Sequence, residues 1–278
     1  MFTVIRPPYF RFLNPSMPNI SPSVIKVKVY DNMNIDGGVL LGASSLTGRY
    51  WFGSLWYCKN PEDILCLEKC TAGVQLEAGL GDAVWLDDSK VLVGLDTGGV
   101  AVWELTDEYR TFVHVQSAVE HDDMVSSVSV ATDKNRAVSG SYDKCIKVWD
   151  METMSSVTTY RGHYDMVQAV KYHPTEPALI LSCSQDGRTC LWDTRDQKQV
   201  TVLGGFVRNP YPLVCLDTSP LQHSPTYVTW NPSSQYNYTV SDESGQIVIK
   251  DTRATQDTCI TFCPHKRSVT KLEYNPDR

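Results

Sequence analysis

Short runs of alternating apolar and polar residues follow one another along most of the chain. They include VSSVSVA at 125–131, AVSGS at 137–141, KCIKVWD at 144–150 and SSVTTY at 155–160. Alternation with a period of two is typical of a half-buried β-strand, and β-branched residues favour that conformation. Turn residues such as Gln185-Asp186-Gly187 separate the runs, and we find no long amphipathic helix pattern. The pattern therefore predicts an all-β chain of short strands.

One group of these strands occurs twice in closely similar form. HYDMVQAV at 163–170 aligns with HDDMVSSV at 121–128 at a constant offset of 42, and each copy runs on to a Trp-Asp pair. A repeated unit of this length cannot bury its own apolar face, so neighbouring copies must stack against each other. A chain built in this way is usually a binding platform, because the repeat itself carries no chemistry.

The last apolar strand of each unit measures the repeat. Tryptophan stands at positions 56, 103, 149 and 192, with spacings of 43–47 residues, and Lys250 takes its place in a fifth copy. Spacings of roughly 40–45 residues are those of WD-repeat propeller blades, each of which is a four-stranded sheet. The longer step to Lys250 predicts an insertion at 204–225, a segment rich in Pro and Gly.

A further unit begins near the end of the chain, where residues 265–278 align with 163–176 at an offset of 102. We therefore predict a WD-repeat β-propeller over residues 24–278, with about five blades and the start of a sixth, preceded by a flexible proline-rich tail at 1–23. We expect an incomplete copy of a seven-bladed ring. The alternative is a six-bladed ring that the strand at 24–30 completes.

Composition limits the kinds of partner. The net charge of −7 argues against direct binding of nucleic acid, and no apolar run reaches the roughly 18 residues of a membrane span. Nine cysteines, odd in number and several inside predicted strands, favour free, buried thiols in the reducing cytoplasm and nucleus. We expect no cofactor and no metal, since Cys259, Cys263 and His265 lack a fourth ligand at zinc spacing.

The two best repeats carry a histidine, a serine, an aspartate and a tryptophan at matching positions. Carboxylate, imidazole, hydroxyl and indole N–H can join in one hydrogen-bonded chain that fixes the register of neighbouring strands. Because the set recurs at the repeat spacing and ends on a tryptophan, we interpret it as structural and not as a hydrolase triad. The sets are His121, Ser139 or Ser141, Asp143 and Trp149, and His163, Ser182 or Ser184, Asp186 and Trp192.

Other segments resemble one particular family of WD-repeat proteins, that of methylosome protein 50. The similar segments are LLGASSLTGRYWFGSLW at 40–56, GVQLEAG at 73–79, EHDDMVSSVSV at 120–130, SGSYDKCIKVWD at 139–150 and LSCSQDGRTCLWDTR at 181–195. The family provides the WD-repeat subunit of the complex that symmetrically dimethylates arginine. The resemblance implies a seven-bladed propeller without catalytic activity.

The resemblance also implies a hetero-oligomeric adaptor. Such a subunit docks on the type II arginine methyltransferase and helps present Sm proteins and core histones, whose basic tails complement a charge of −7. In the family the hairpin loop of the first blade contacts the enzyme, and that loop is 44–52 in this chain. Arg49 and Trp51 are the predicted anchors, flanked by Tyr50 and Phe52, because Trp and Arg are enriched at binding hot spots. Alternatively, Trp51 packs between blades and Arg49 pairs locally.

A second function stays open on the sequence alone. Trp192-Asp193-Thr194-Arg195 matches the W-D-x-R box with which substrate receptors of cullin-type ubiquitin ligases meet their adaptor. The box is only four residues long, and an arginine after a Trp-Asp turn is common. We therefore expect a non-catalytic adaptor of the methyltransferase complex, with a ligase receptor as the alternative and an enzyme last.

Overall fold

The computed structural model describes residues 28–30, 38–47, 50–60, 70–106, 108–195, 199–204, 223–253 and 260–274. Every regular element in these ranges is a β-strand, and the strands form four-stranded antiparallel sheets. Accordingly, no helix in the described ranges has the length and apolar character to cross a membrane. The structure confirms the predicted all-β class, a partial WD-repeat β-propeller. The predicted tail and residues 205–222 of the predicted insertion lie outside the described residues.

The chain forms two compact units, divided between Val125 and Ser126. The first unit holds two sheets, which we call blades 1 and 2. Blade 1 consists of β1 (Lys28–Tyr30), β2 (Val39–Thr47), β3 (Tyr50–Cys58) and β4 (Ala72–Gln75). Blade 2 consists of β5 (Leu80–Trp85), β6 (Lys90–Leu95), β7 (Gly99–Thr106) and β8 (Thr111–Val119). Consecutive strands pair, so each blade is a simple meander.

The second unit holds blades 3, 4 and 5, built in the same way. Blade 3 consists of β9 (Val125–Val130), β10 (Arg136–Ser141), β11 (Cys145–Asp150) and β12 (Ser155–Arg161). Blade 4 consists of β13 (Val167–Tyr172), β14 (Leu179–Ser184), β15 (Thr189–Asp193) and β16 (Gln199–Gly204). Blade 5 consists of β17 (Pro225–Trp230), β18 (Asn237–Asp242), β19 (Ile247–Asp251) and β20 (Ile260–Phe262).

The apolar faces of these sheets form the core between blades of the second unit. Val138 and Ile146 of blade 3 pack with Val170 and Ile180 of blade 4 in one buried cluster. Gly140 allows this approach, because a Cβ atom there would lie 2.6 Å from Val167 Cγ1. The stacking that the repeat length requires is therefore present between these blades.

The predicted start of a sixth blade packs against blade 5. Val269 and Leu272 are buried in the cluster that also contains Val228 of β17. Thr226 Oγ1 donates to the Val269 carbonyl at 2.6 Å, just as Ser126 Oγ of β9 donates to the carbonyl of the first residue of β13. Residues 263–274 thus contact blade 5 as β13 contacts blade 3, although they form no strand.

The cysteines depart in part from the prediction of free, buried thiols. Cys58 and Cys70 are joined by a disulfide, so the prediction was wrong for this pair. The pairing of β3 with β4, with Tyr57 opposite Ala72, brings the two cysteines together. The other described cysteines remain thiols, with Cys145, Cys183 and Cys190 buried and Cys263 exposed.

Candidate functional site

Blade 4 contains a continuous chain of side-chain hydrogen bonds. Trp192 Nε1 donates to Ser182 Oγ at 2.8 Å, His163 Nε2 lies 2.7 Å from the same oxygen, and His163 Nδ1 lies 2.9 Å from Asp186 Oδ2. Because a carboxylate only accepts, Nδ1 carries the proton of the imidazole. Ser182 already accepts from the indole, so its O–H donates to Nε2. Each donor in the chain therefore has an acceptor.

This chain is sealed from solvent, although it contains the residue types of a hydrolase triad. Ser182 is 0% exposed, and the side chains of His163 and Asp186 are 0% and 5% exposed. A serine whose oxygen is buried and bonded on both sides cannot reach a substrate. The arrangement fixes the register of the strands and leaves no nucleophile available.

Asp186 also fixes two segments of backbone at the same end of blade 4. Oδ1 accepts from the N–H of Arg188 at 2.9 Å, and Oδ2 accepts from the N–H of Tyr164 at 2.9 Å. Burial by itself would raise the pKa of Asp186, but the hydrogen bonds from His163 and these backbone groups outweigh it and lower the pKa. The ionised carboxylate therefore ties the loop before β13 to the turn between β14 and β15.

Ser184, the alternative hydroxyl, has a separate task in that turn. Its Oγ accepts from the N–H of Asp186 at 3.1 Å and donates to the Asp165 carbonyl at 2.8 Å. Gly187 completes the turn with a φ of 82°, a conformation that glycine adopts without a steric penalty. Ser182 belongs to the indole chain, and Ser184 belongs to the turn.

Blade 3 repeats hydrogen bonds of the tryptophan, the two serines and the aspartate. Trp149 Nε1 donates to Ser139 Oγ at 2.8 Å, and Asp143 Oδ1 accepts from the N–H of Cys145 at 2.8 Å. Ser141 Oγ accepts from the N–H of Asp143 at 3.1 Å, as Ser184 does in blade 4. His121 is buried in the first unit, and its place in the set stays a prediction.

Blade 5 replaces the set, as its sequence predicts. Val240 and the buried Lys250 stand where blade 4 has the serine and the tryptophan. Its turn is held instead by Asp242, whose Oδ1 accepts from Ser244 N–H, Ser244 Oγ and Gln246 N–H at 2.7–3.0 Å. A single carboxylate thus substitutes for the serine and aspartate of the other turns.

Three of the predicted partner-binding residues, Tyr50, Trp51 and Phe52, lie on strand β3 and not in a long loop. β2 continues to Thr47 and β3 begins at Tyr50, so strand pairing covers most of 44–52, with Leu46 opposite Trp51. Arg49 lies outside the described residues, and the structure describes only the backbone of Tyr50 and Trp51. Phe52 is half-buried. The β-branched and aromatic residues of 46–52 could have indicated strands.

Ser44 anchors this hairpin to blade 2. Its Oγ accepts from the N–H of Leu80 at 2.7 Å and donates to the carbonyl of the same residue at 3.0 Å. At the opposite strand, the N–H of Gly53 donates to the Ala78 carbonyl at 2.8 Å. Buried polar contacts therefore hold the hairpin at the paired residues Ser44 and Gly53, close to Trp51 on β3.

The W-D-x-R box contains an exposed ion pair. Arg195 Nε donates to Asp193 Oδ1 at 2.8 Å, and the guanidinium lowers the pKa of that carboxyl. The Arg195 side chain is 72% exposed. Arg253 and Asp251 repeat the pair in blade 5, with Nη2 2.7 Å from Oδ2. The pairing is therefore a recurring feature of the turn after the third strand.

The sequence did not indicate a contact between two side chains of blade 4, those of Arg188 and Tyr164. The Arg188 guanidinium lies over the Tyr164 ring, 4.6 Å from its centroid. Arg188 is only 5% exposed, while Tyr164 is 50% exposed. In the described ranges, by contrast, no group of three or more His, Cys, Asp or Glu side chains could hold a metal ion.

Comparisons with known proteins agree with this architecture. The model of the WD domain, G-beta repeat, matches residues 112–150 and 154–193, which contain the first three strands of blades 3 and 4. Methylosome protein WDR77 of Xenopus laevis is 36% identical over 86% of this chain and 68% of its own length. Protein valois of Drosophila melanogaster is 25% identical over 66% of this chain and 53% of its own. DDB1- and CUL4-associated factor 13 of Danio rerio is 24% identical over 47% and 26%, respectively.

The matched WD repeats and the buried hydrogen-bond network share the same residues. The matched WD repeats contain the buried Trp-Ser hydrogen bonds of blades 3 and 4, and the 36% identity extends over most of the chain. Fold, repeat network and overall similarity thus point to one group of proteins. The chain belongs to the WD-repeat family of methylosome protein WDR77.

Proposed function

We propose that this chain is a non-catalytic adaptor in a type II arginine methyltransferase complex. The supporting observation is its 36% identity, over 86% of the chain, to a protein named for the methylosome. The sealed Ser182 network adds to this proposal, since it uses the polar repeat residues for stability and not for chemistry. The chain would act by holding the enzyme and its substrates together.

We place the contact with the methyltransferase on the hairpin of β2 and β3. These strands have nine residues each, and Ser44 holds their base through two buried hydrogen bonds. Tyr50, Trp51 and Phe52 begin β3 and pair with the last residues of β2, and Arg49 precedes them in the sequence. One arginine followed by three aromatic residues suits a pocket of a partner, because Arg and aromatic side chains are enriched at binding hot spots.

Co-purification with the methyltransferase tests both statements. Each central anchor contributes about 2 kcal/mol, so Arg49→Ala with Trp51→Ala should weaken binding by more than about a hundredfold. Val157→Ala is the control, since this exposed valine lies on β12 of another blade. Loss of the enzyme only in the double variant supports the site. Equal recovery with both variants would contradict the site assignment, and no recovery with the unchanged chain would contradict the proposed function.

We propose further that the chain presents Sm proteins and core histones to the enzyme. Its net charge of −7 supports attraction of basic, arginine-rich tails, and such attraction weakens as salt screens it. Methylation of these substrates by the enzyme, with and without the chain, is the test. We expect the chain to raise the rate at low salt and to lose most of that effect at high salt. A salt-independent rate would contradict charge-based presentation.

A cytoplasmic and nuclear location is part of the proposal. It rests on the buried thiols Cys145, Cys183 and Cys190. The bond between Cys58 and Cys70 is by contrast typical of an oxidising compartment, so cell fractionation with thiol trapping decides the location.

A ubiquitin-ligase receptor is the second candidate. The exposed Arg195 and the 24% identity to DDB1- and CUL4-associated factor 13 favour it. A pull-down with the ligase adaptor tests it, with Arg253→Ala as the matched control for Arg195→Ala. Adaptor binding that only Arg195→Ala abolishes would favour the ligase, and no binding of the unchanged chain would exclude it.

A further inference from the structure

We propose that Arg188 and Tyr164 form a second binding site, on blade 4, for a carboxylate side chain of a partner protein. The Arg188 side chain is 5% exposed, and its guanidinium makes neither an ion pair nor a hydrogen bond to any described residue. Its one contact of note is the Tyr164 ring, 4.6 Å away. A guanidinium has five N–H donors, and burial without acceptors is costly.

The nitrogens of this guanidinium can still be reached from outside. Several described side chains have a polar atom that is sealed from solvent and lacks a partner, but no nitrogen of Arg188 is such an atom. The small exposed fraction of the residue therefore includes its donors. Tyr164, which is 50% exposed, forms one wall beside them. The result is a recessed cation next to an accessible aromatic ring.

The repeat network holds this pair in place before any ligand arrives. One carboxylate, that of Asp186, binds the backbone N–H of both Arg188 and Tyr164 at 2.9 Å. Asp186 is itself held by His163 at 2.9 Å. A site whose residues are fixed in advance loses little freedom on binding, which favours specific recognition.

Chemistry selects a carboxylate over other anions. The planar guanidinium fork matches a carboxylate with two parallel hydrogen bonds. Asp165 and Asp186 stand in the same two loops, and their negative charge opposes a doubly charged phosphate more than a singly charged carboxylate. Tyr164 offers apolar contact to the residue beside that carboxylate, and Tyr with Arg is a typical hot-spot pair. An Asp or Glu in a partner segment satisfies all three conditions.

Within the second unit, an arginine occupies this position of the turn in blade 4 but not in blades 3 and 5. The residue just before or at the start of the third strand is Cys145 in blade 3 and Gln246 in blade 5. The N–H of Cys145 donates to the Asp143 carboxylate at 2.8 Å, just as the N–H of Arg188 donates to that of Asp186. The turn therefore does not require an arginine, which is consistent with a binding role and not a structural one.

Selection of peptides on the whole 278-residue chain tests the site. A phage library of random 12-residue peptides, about the length of a linear docking segment, is selected on the unchanged chain, on Arg188→Gln and on Arg253→Gln. Arg253→Gln is the matched control, because Arg253 is an exposed arginine after the third strand of blade 5 that already has a carboxylate partner. We expect enrichment of Asp and Glu on the unchanged chain and the control, and none on Arg188→Gln. Equal acidic enrichment on all three, or none on any, overturns the proposal.

Affinity measurements with the selected peptide complete the test. Arg188→Gln and a Glu→Gln change in the peptide should each raise Kd at least tenfold, and the two changes together should raise it no further. Arg188→Gln should unfold at the same temperature as the unchanged chain or above it, since an unpaired buried charge is removed. A destabilised Arg188→Gln, or additive losses in the two changes, would assign Arg188 a structural role and overturn the proposal.

Discussion

Replacing Ser182 with alanine removes one oxygen that serves two buried groups. Its Oγ accepts from Trp192 Nε1 at 2.8 Å and donates to His163 Nε2 at 2.7 Å. Ser182 is 0% exposed, so water cannot take over either bond. Each buried polar group left without a partner costs about 1–3 kcal/mol, and two such groups predict a loss of roughly 2–6 kcal/mol. That is a large part of the roughly 5–15 kcal/mol that stabilises a typical domain.

A double-mutant cycle separates the two bonds. Trp192→Phe removes the indole donor, so adding Ser182→Ala to it orphans only His163 Nε2. The serine change should then cost at least about 1 kcal/mol less than it does in the unchanged chain. Ser155→Ala is the control, because this exposed serine on β12 should change stability by less than about 0.5 kcal/mol.

The assay is urea unfolding at neutral pH, followed by circular dichroism so that the loss of Trp192 does not alter the signal. The midpoint and slope give the free energy of unfolding for each variant. A loss below about 1 kcal/mol for Ser182→Ala, or strict additivity with Trp192→Phe, would refute a continuous buried chain.

Three further predictions address other parts of the second unit. The pKa of Asp186 is lowered on folding, so the ionised carboxylate stabilises the fold above its unfolded pKa of about 3.9. This stabilisation is lost as the pH falls through the folded pKa. The free energy of unfolding of Asp186→Asn should therefore decrease less steeply with falling pH than that of the unchanged chain. Lys144 has a φ of 71°, so Lys144→Gly should add about 0.5–1 kcal/mol and raise the melting temperature by about 2 °C, whereas a lower melting temperature would contradict relief of strain. Gln168 Nε2 is buried without a partner in the described ranges. Ser126 and Thr226 occupy the same position, the second residue of the first strand, in blades 3 and 5. Each of these two hydroxyls donates to a carbonyl of the following blade or segment. Gln168→Ser should accordingly raise the free energy of unfolding by about 1 kcal/mol, and a loss in urea unfolding would show that the amide has a partner after all.

The sequence predicted the sheets because each blade needs a buried apolar third strand. The tryptophans at 149 and 192 have this position, and Lys250 has it in blade 5. Such a strand is recognisable from local alternation alone, since the face of each residue follows from a period of two. The choice between Ser182 and Ser184 was not open to this reasoning. They lie two positions apart on one strand and share a face, so only their surroundings distinguish them.

The hairpin and the disulfide show a second limit of sequence reasoning. The length of β2 and β3 follows from continued pairing up to Thr47 and Tyr50, which depends on both strands at once. Cys58 and Cys70 meet because β4 pairs beside β3, and nothing in their separation of 12 residues requires that. In both cases the missing information was the partner strand and its register.

By itself, then, the sequence determined a chain of WD-type sheets, their order, the candidate residues of the repeat network and the family. Only the tertiary structure decided which serine joins the tryptophan, and that Arg188 is buried beside Tyr164 with no acceptor among the described residues. The physical reason is the range of the interactions. Alternation, turns and repeat spacing are properties of neighbouring residues, whereas burial and the partners of a charge depend on loops that approach from distant positions in the chain.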